Sequence, residues 1–117
     1  MHQSLFDHHA FAARIGTDPE IQQELIELFI HSQPDRMTAL ARAVDTHDLV
    51  SARSLAHGLT GAFRSMSMDP LGDCAKQLED AARHGDAAGS NKAMKQLSGL
   101  FATALDELHA CSQVVSV

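Results

Sequence analysis

The side chain with most to offer chemistry is the imidazole of His57, set in the run Ala56-His57-Gly58-Leu59-Thr60-Gly61. An ordinary imidazole titrates near ~6.5, so a neutral, nucleophilic ring nitrogen is available near neutral pH. Such a nitrogen can split one group transfer into two easier steps. On a helix, Arg53 and Arg64 fall within about 40° of His57, and Thr60 and Gly61 share that side. The set is a nucleophile, two permanent cations, one hydroxyl and a bare patch of backbone. It reads as a receiving place for phosphate, which arginine binds through charge-assisted hydrogen bonds. A mid-helix Gly61 costs ~1 kcal/mol relative to Ala, and clearance for an approaching partner is a reason to accept that cost. Gly58 adds to the clearance from one side.

The same helical wheel puts Leu55, Leu59, Ala62 and Met66 on one apolar stripe, widened by Ala52, Ala56 and Phe63. His57 lies roughly 160° from the centre of that stripe. Packing this helix therefore leaves the imidazole in water. Taken singly, an exposed helical histidine is more often a solvated surface residue, and a mid-helix glycine more often a packing accommodation. It is the whole pattern that points to phosphate.

Other constellations are weaker. His2, His8 and His9 cluster without a carboxylate at a ligand spacing, and His31, His47, His84 and His109 are scattered and expected to be exposed. A di-iron bundle needs repeated Glu-x-x-His pairs. Glu27 stands four residues before His31, not three. Cys74 and Cys111 form no Cys-x-x-Cys pair and read as small core hydrophobes. Met66-Ser67-Met68 reads as core and loop packing rather than a thioether metal site. No metal site is expected. Gly-x-Ser-x-Gly, P-loop and Gly-x-Gly-x-x-Gly signatures are absent, so no hydrolase or ATP site is legible.

The elements that must position His57 are helical. Residues 4–14 read as a short first helix before Gly16. Asp18-Pro19-Glu20 gives an N-cap, a first-turn proline and a first-turn acid for the second helix. Ile21, Leu25, Leu28 and Phe29 set its period, and Met37, Leu40, Ala41 and Val44 resume it beyond Pro34. One long kinked helix is expected there. Thr46-His47-Asp48 is a turn, with Asp48 capping a third helix over about 49–66. Asp69-Pro70 repeats the N-cap signal for a fourth, which carries Leu71, Cys74, Leu78 and Ala81 and ends near Gly85. Asp86 or Ser90 caps a last helix bearing Met94, Leu97, Phe101, Ala104, Leu108 and Cys111. The fold class expected is all-α: an antiparallel four-helix bundle with a short extra N-terminal helix. It forms a single domain over 1–117, with residues 112–117 frayed.

Composition agrees. The 117 residues are 44% hydrophobic and 21% charged, with 4% aromatic and no Trp or Tyr, which suits packed helices more than sheet. A net charge of -6 argues against nucleic acid and against an anionic membrane surface. No run approaches the ~20 apolar residues of a spanning helix. Met1-His2-Gln3-Ser4 lacks signal-peptide character, and the two cysteines fit a reducing compartment. The expected location is the cytoplasm.

The stretch from Asp18 to about Asp86 resembles the histidine-containing phosphotransfer (HPt) family. Its core motif reads approximately Ala-His-x-Leu-Lys-Gly, followed by a helix ending in Leu-Glu and a Gly-Asp turn. The matching residues are Ala56, His57, Leu59 and Gly61, then Leu78-Glu79 and Gly85-Asp86. Glu24 to Ile30, followed by Pro34, resembles the family's long second helix. The resemblance implies a phosphorelay intermediate without independent catalytic activity. His57 would accept a phosphoryl group from an aspartate of a receiver domain, or from a hybrid sensor kinase, and pass it to another receiver. The implied partners are a response-regulator receiver domain and a sensor histidine kinase. The chain itself would need no cofactor, since Mg²⁺ belongs to the receiver. Two residues depart from the pattern: Thr60 replaces the usual Lys, and Ser67 stands where Gly is frequent. Arg64 or Arg53 is expected to replace that Lys in phosphate support. A receiver is expected to dock beside His57 on exposed apolar residues such as Val50. The competing readings are an interaction module without phosphoryl traffic and a metal-binding helical bundle.

Overall fold

A computed structural model describes residues 4–115, with side chains to residue 112. Five helices follow in order: α1 (His8–Ile15), α2 (Pro19–Asp45), α3 (Leu49–Ser65), α4 (Asp69–Arg83) and α5 (Ala87–Val115). No strand occurs among the described residues. The four longer helices touch in a closed ring, α2 to α3 to α4 to α5 and back to α2, and α1 rests on α2.

Local chemistry explains the boundaries. The Asp18 side chain accepts from the Glu20 amide at 2.9 Å, and Asp7, Asp48 and Asp86 accept from the amides three residues on. Each satisfies an amide donor that a helix start leaves open. The α2–α3, α3–α4 and α4–α5 turns share one geometry. In each, an amide returns five residues to a carbonyl: Asp48 to Ala43, Met68 to Phe63, Asp86 to Ala81. The residue before each donor is left-handed, with φ of 59° at His47, 59° at Ser67 and 70° at Gly85. This is a Schellman closure repeated three times.

The core is aliphatic with a small aromatic centre. Phe29 of α2, Phe63 of α3 and Phe101 of α5 lie with ring centroids 6.0 to 6.2 Å apart. Ile26, Leu40, Leu59, Leu71, Leu78, Leu97 and Leu108 are fully buried around them. Met66 and Met68 are buried, as expected of core and loop packing.

Several expectations change in detail. The first helix starts at His8, not at residue 4, because Asp7 caps it. α2 runs through Pro34 as one helix, but it buries Ile26, Phe29 and Met37 and leaves Ile21 and Leu28 exposed. Asp69 is not an N-cap. Met68 holds that position without a side-chain bond, and Asp69 is already helical. The tail expected to fray after Cys111 is helical to Val115, and residues 116–117 lie outside the described residues.

Candidate functional site

His57 sits in the middle of α3. Its side chain is 78% exposed, as the helical wheel required. Its orientation differs from the expected one. The buried positions of α3 are Ala52, Ala56, Leu59, Thr60 and Phe63, whereas Leu55 and Ala62 are only half-buried. The buried face is thus turned toward Thr60, and His57 lies about 115° from its centre rather than opposite it. The imidazole stands at the border between solvent and the α3–α4 seam.

That border brings in Glu79 of α4. The Glu79 carboxylate is 8% exposed, and its Oε2 lies 3.1 Å from His57 Nδ1. A carboxylate only accepts, so it selects the ring form with the proton on Nδ1. Nε2 then carries the lone pair. Glu79 Oε1 is buried with no hydrogen bond. Its neighbour is Lys76 Nζ at 3.7 Å, ion-pair range but too long for a hydrogen bond. Lys76 Nζ also stands 3.5 Å from Asp80, which is paired in turn with Arg83.

The α3 residues singled out with His57 part company in the structure. Arg53 shares a shallow groove with Val50, Ser54, His57 and Glu79. Arg64 turns the other way: its guanidinium is 3.4 Å from Asp73, and its stem crosses Gly72 so closely that a Cβ there would meet Arg64 Cγ at 2.8 Å. The expectation for Thr60 is corrected. Its side chain is buried, and its hydroxyl donates to the Ala56 carbonyl at 2.8 Å. Bonding back to its own helix satisfies the hydroxyl's donor and lets it face the core, so that donor is not offered to an external phosphate. Gly61 is exposed, and a Cβ built on it would meet nothing within 4 Å; the same holds for Gly58. No packing among the described residues explains either glycine.

Among the described residues no three His, Cys, Asp or Glu side chains converge as metal ligands, and no helix is long and apolar enough to cross a membrane. His31, His47, His84 and His109 are exposed. His2 lies outside the described residues. Burial pushes the Cys74 thiol up. Burial, then the Glu107 charge, does the same for Cys111. Neither is an activated nucleophile.

Glu79 is the partner of His57 that helical periodicity on α3 could not find. Its signal was the Leu78-Glu79 pair, legible only as part of the family pattern.

No curated protein and no solved structure matches the chain. The family profile described as Hpt domain matches residues 24–111, from the second turn of α2 to near the end of α5. That span includes His57, Glu79 and the four-helix ring, and the family's business is histidine phosphotransfer in two-component signalling. The chain therefore belongs to the Hpt domain family.

Proposed function

We propose that this chain is a phosphorelay intermediate with His57 as its phosphoacceptor. It takes the group from an aspartyl phosphate of a receiver domain, or from a hybrid sensor kinase, and gives it to another receiver aspartate. The observation that carries this reading is an exposed imidazole held at Nδ1 by a buried carboxylate, leaving Nε2 outward. In the transfer, the Nε2 lone pair forms the N–P bond as the P–O bond to the receiver's aspartate breaks. That carboxylate keeps the electron pair. The Nδ1 proton stays on the ring, and Glu79 faces the positive charge the ring acquires. Arg53, which lines the same groove as His57, is the α3 cation for the phosphoryl oxygens, and Gly61 and Gly58 leave room for the receiver's loops. Most of the catalysis is positioning and charge stabilisation, and the Mg²⁺ involved is the receiver's.

The test is incubation with a receiver carrying labelled acyl phosphate. Base-stable, acid-labile label is expected on His57 and absent from His57→Gln. The loss of the usual α3 cation at Thr60 favours one other reading, a module that binds a receiver without accepting phosphate. A receiver that binds but leaves no label on His57 would establish that second reading.

A further inference from the structure

We propose that Lys76 of α4 joins Arg53 on the phosphoryl oxygens of His57, replacing Thr60 and Arg64, which have other commitments. The inference rests on His57 being the phosphoacceptor. Three observations lead to it. The Thr60 hydroxyl is spent inside α3 on the Ala56 carbonyl. Arg64 is drawn along α4 to Asp73, its stem lying over Gly72. Lys76 Nζ and His57 Nδ1, by contrast, flank the same carboxylate, Glu79, one at each oxygen.

Lys76 is also loosely held. Its two anionic contacts, at 3.7 and 3.5 Å, are both longer than good charge-assisted hydrogen bonds. Its side chain is 42% exposed. Asp80 has Arg83 as a second partner, so moving Lys76 does not strand it. A lysine ammonium rides on a flexible four-carbon stem with three rotatable donors. A phosphoryl group adds about -1.5 to -2 charges and three strong acceptors, more than either carboxylate offers. Phosphorylation would therefore draw Nζ from the Glu79–Asp80 side toward Nε2. Glu79 would keep accepting the hydrogen bond from Nδ1–H and gain the ring's positive charge as its counter-ion in exchange for Lys76. Two cations from different helices, Arg53 and Lys76, would then hold the group from two sides.

The experiment uses the full chain and phosphoramidate, which needs no partner protein. The His57 N–P bond forms as the donor's P–N bond breaks and ammonia departs. Initial rates of labelling, mapped to His57, are compared for wild type, Lys76→Met and Lys76→Arg, with thermal melts of each. Lys76→Met is expected to label at least fivefold more slowly, and Lys76→Arg within about twofold of wild type, with all three melting together. A wild-type rate in Lys76→Met would overturn the inference and leave His57 as phosphoacceptor standing. Equal slowing in Lys76→Arg would also overturn it, since positive charge would not be what counts. Absence of label at His57 in wild type, from phosphoramidate and from every phosphorylated receiver, would remove the parent reading and this one together.

Discussion

His57 is exposed yet anchored, and both facts come from its angle on α3. The exposure was legible in the sequence, because Arg53, His57 and Gly61 lie off any apolar stripe. The anchoring was not. Thr60 is β-branched and polar, and the wheel alone gives no reason to bury it; only its bond to the Ala56 carbonyl makes that possible. Once Thr60 turns inward, His57 swings to the seam, where it meets a residue 22 positions on. Such a pairing depends on how α3 and α4 register, which no single-helix pattern contains. Gly61 gives the sharpest residue-scale prediction. With nothing within 4 Å of a built Cβ, Gly61→Ala should stabilise the fold by about 0.5–1 kcal/mol, seen as a higher urea midpoint. The same substitution should slow transfer from a receiver several-fold. A stabilised variant that transfers at the wild-type rate would mean that Gly61 is not there for clearance.

Among the elements, the turns decide where helices begin, and they account for what the sequence misplaced. Asp18-Pro19 and Asp69-Pro70 look alike, but only Asp18 caps. At the second site the Met68 amide is already bonded back to Phe63 and the Met68 carbonyl accepts from Gly72, so the helix begins one residue early. Gly85 announced its turn; Ser67, in the same left-handed geometry, did not. Ser67 has φ of 59° and a buried hydroxyl with no partner. Ser67→Gly should therefore stabilise by about 1 kcal/mol, relieving the backbone and removing the orphaned group, as a calorimetric melt would show. Asp48 carries a pH signature. Hydrogen bonds from Ser51, side chain before amide, hold its carboxyl below the usual range. Its folded value is thus lower than its unfolded one, near ~3.9. Its contribution is complete above that unfolded value and is lost as pH falls through the folded one. Asn caps equally well without titrating, so Asp48→Asn should leave melting at pH 7 nearly unchanged and flatten the acid limb of melting temperature against pH. An acid limb of unchanged slope would refute this account.

Taken whole, the molecule is an elongated body, 46 × 29 × 21 Å, built from a ring of four helices with α1 laid against it. Sequence punctuation was enough for the helical class and the order of elements, because caps and prolines are local signals. That Ile21 and Leu28 stay outside was not legible, since they share the helical period of their buried neighbours. Val50, expected outside, is 83% exposed, and it lines the groove that holds His57. Val50→Glu should leave stability within about 0.5 kcal/mol and weaken receiver binding roughly tenfold, about 1.4 kcal/mol, measured by titration calorimetry. Unaltered affinity would put the docking face elsewhere.

The openness around His57 also sets a timetable. With the ring more than three-quarters bare and only a shallow groove beside it, no described residue shuts over the imidazole or would have to lift from a group carried on it. Under the proposed function, the lifetime of a message would be governed by the abundance of the next protein and by spontaneous loss to water, so cellular supply of partners, rather than an internal gate, would tune the throughput of the relay.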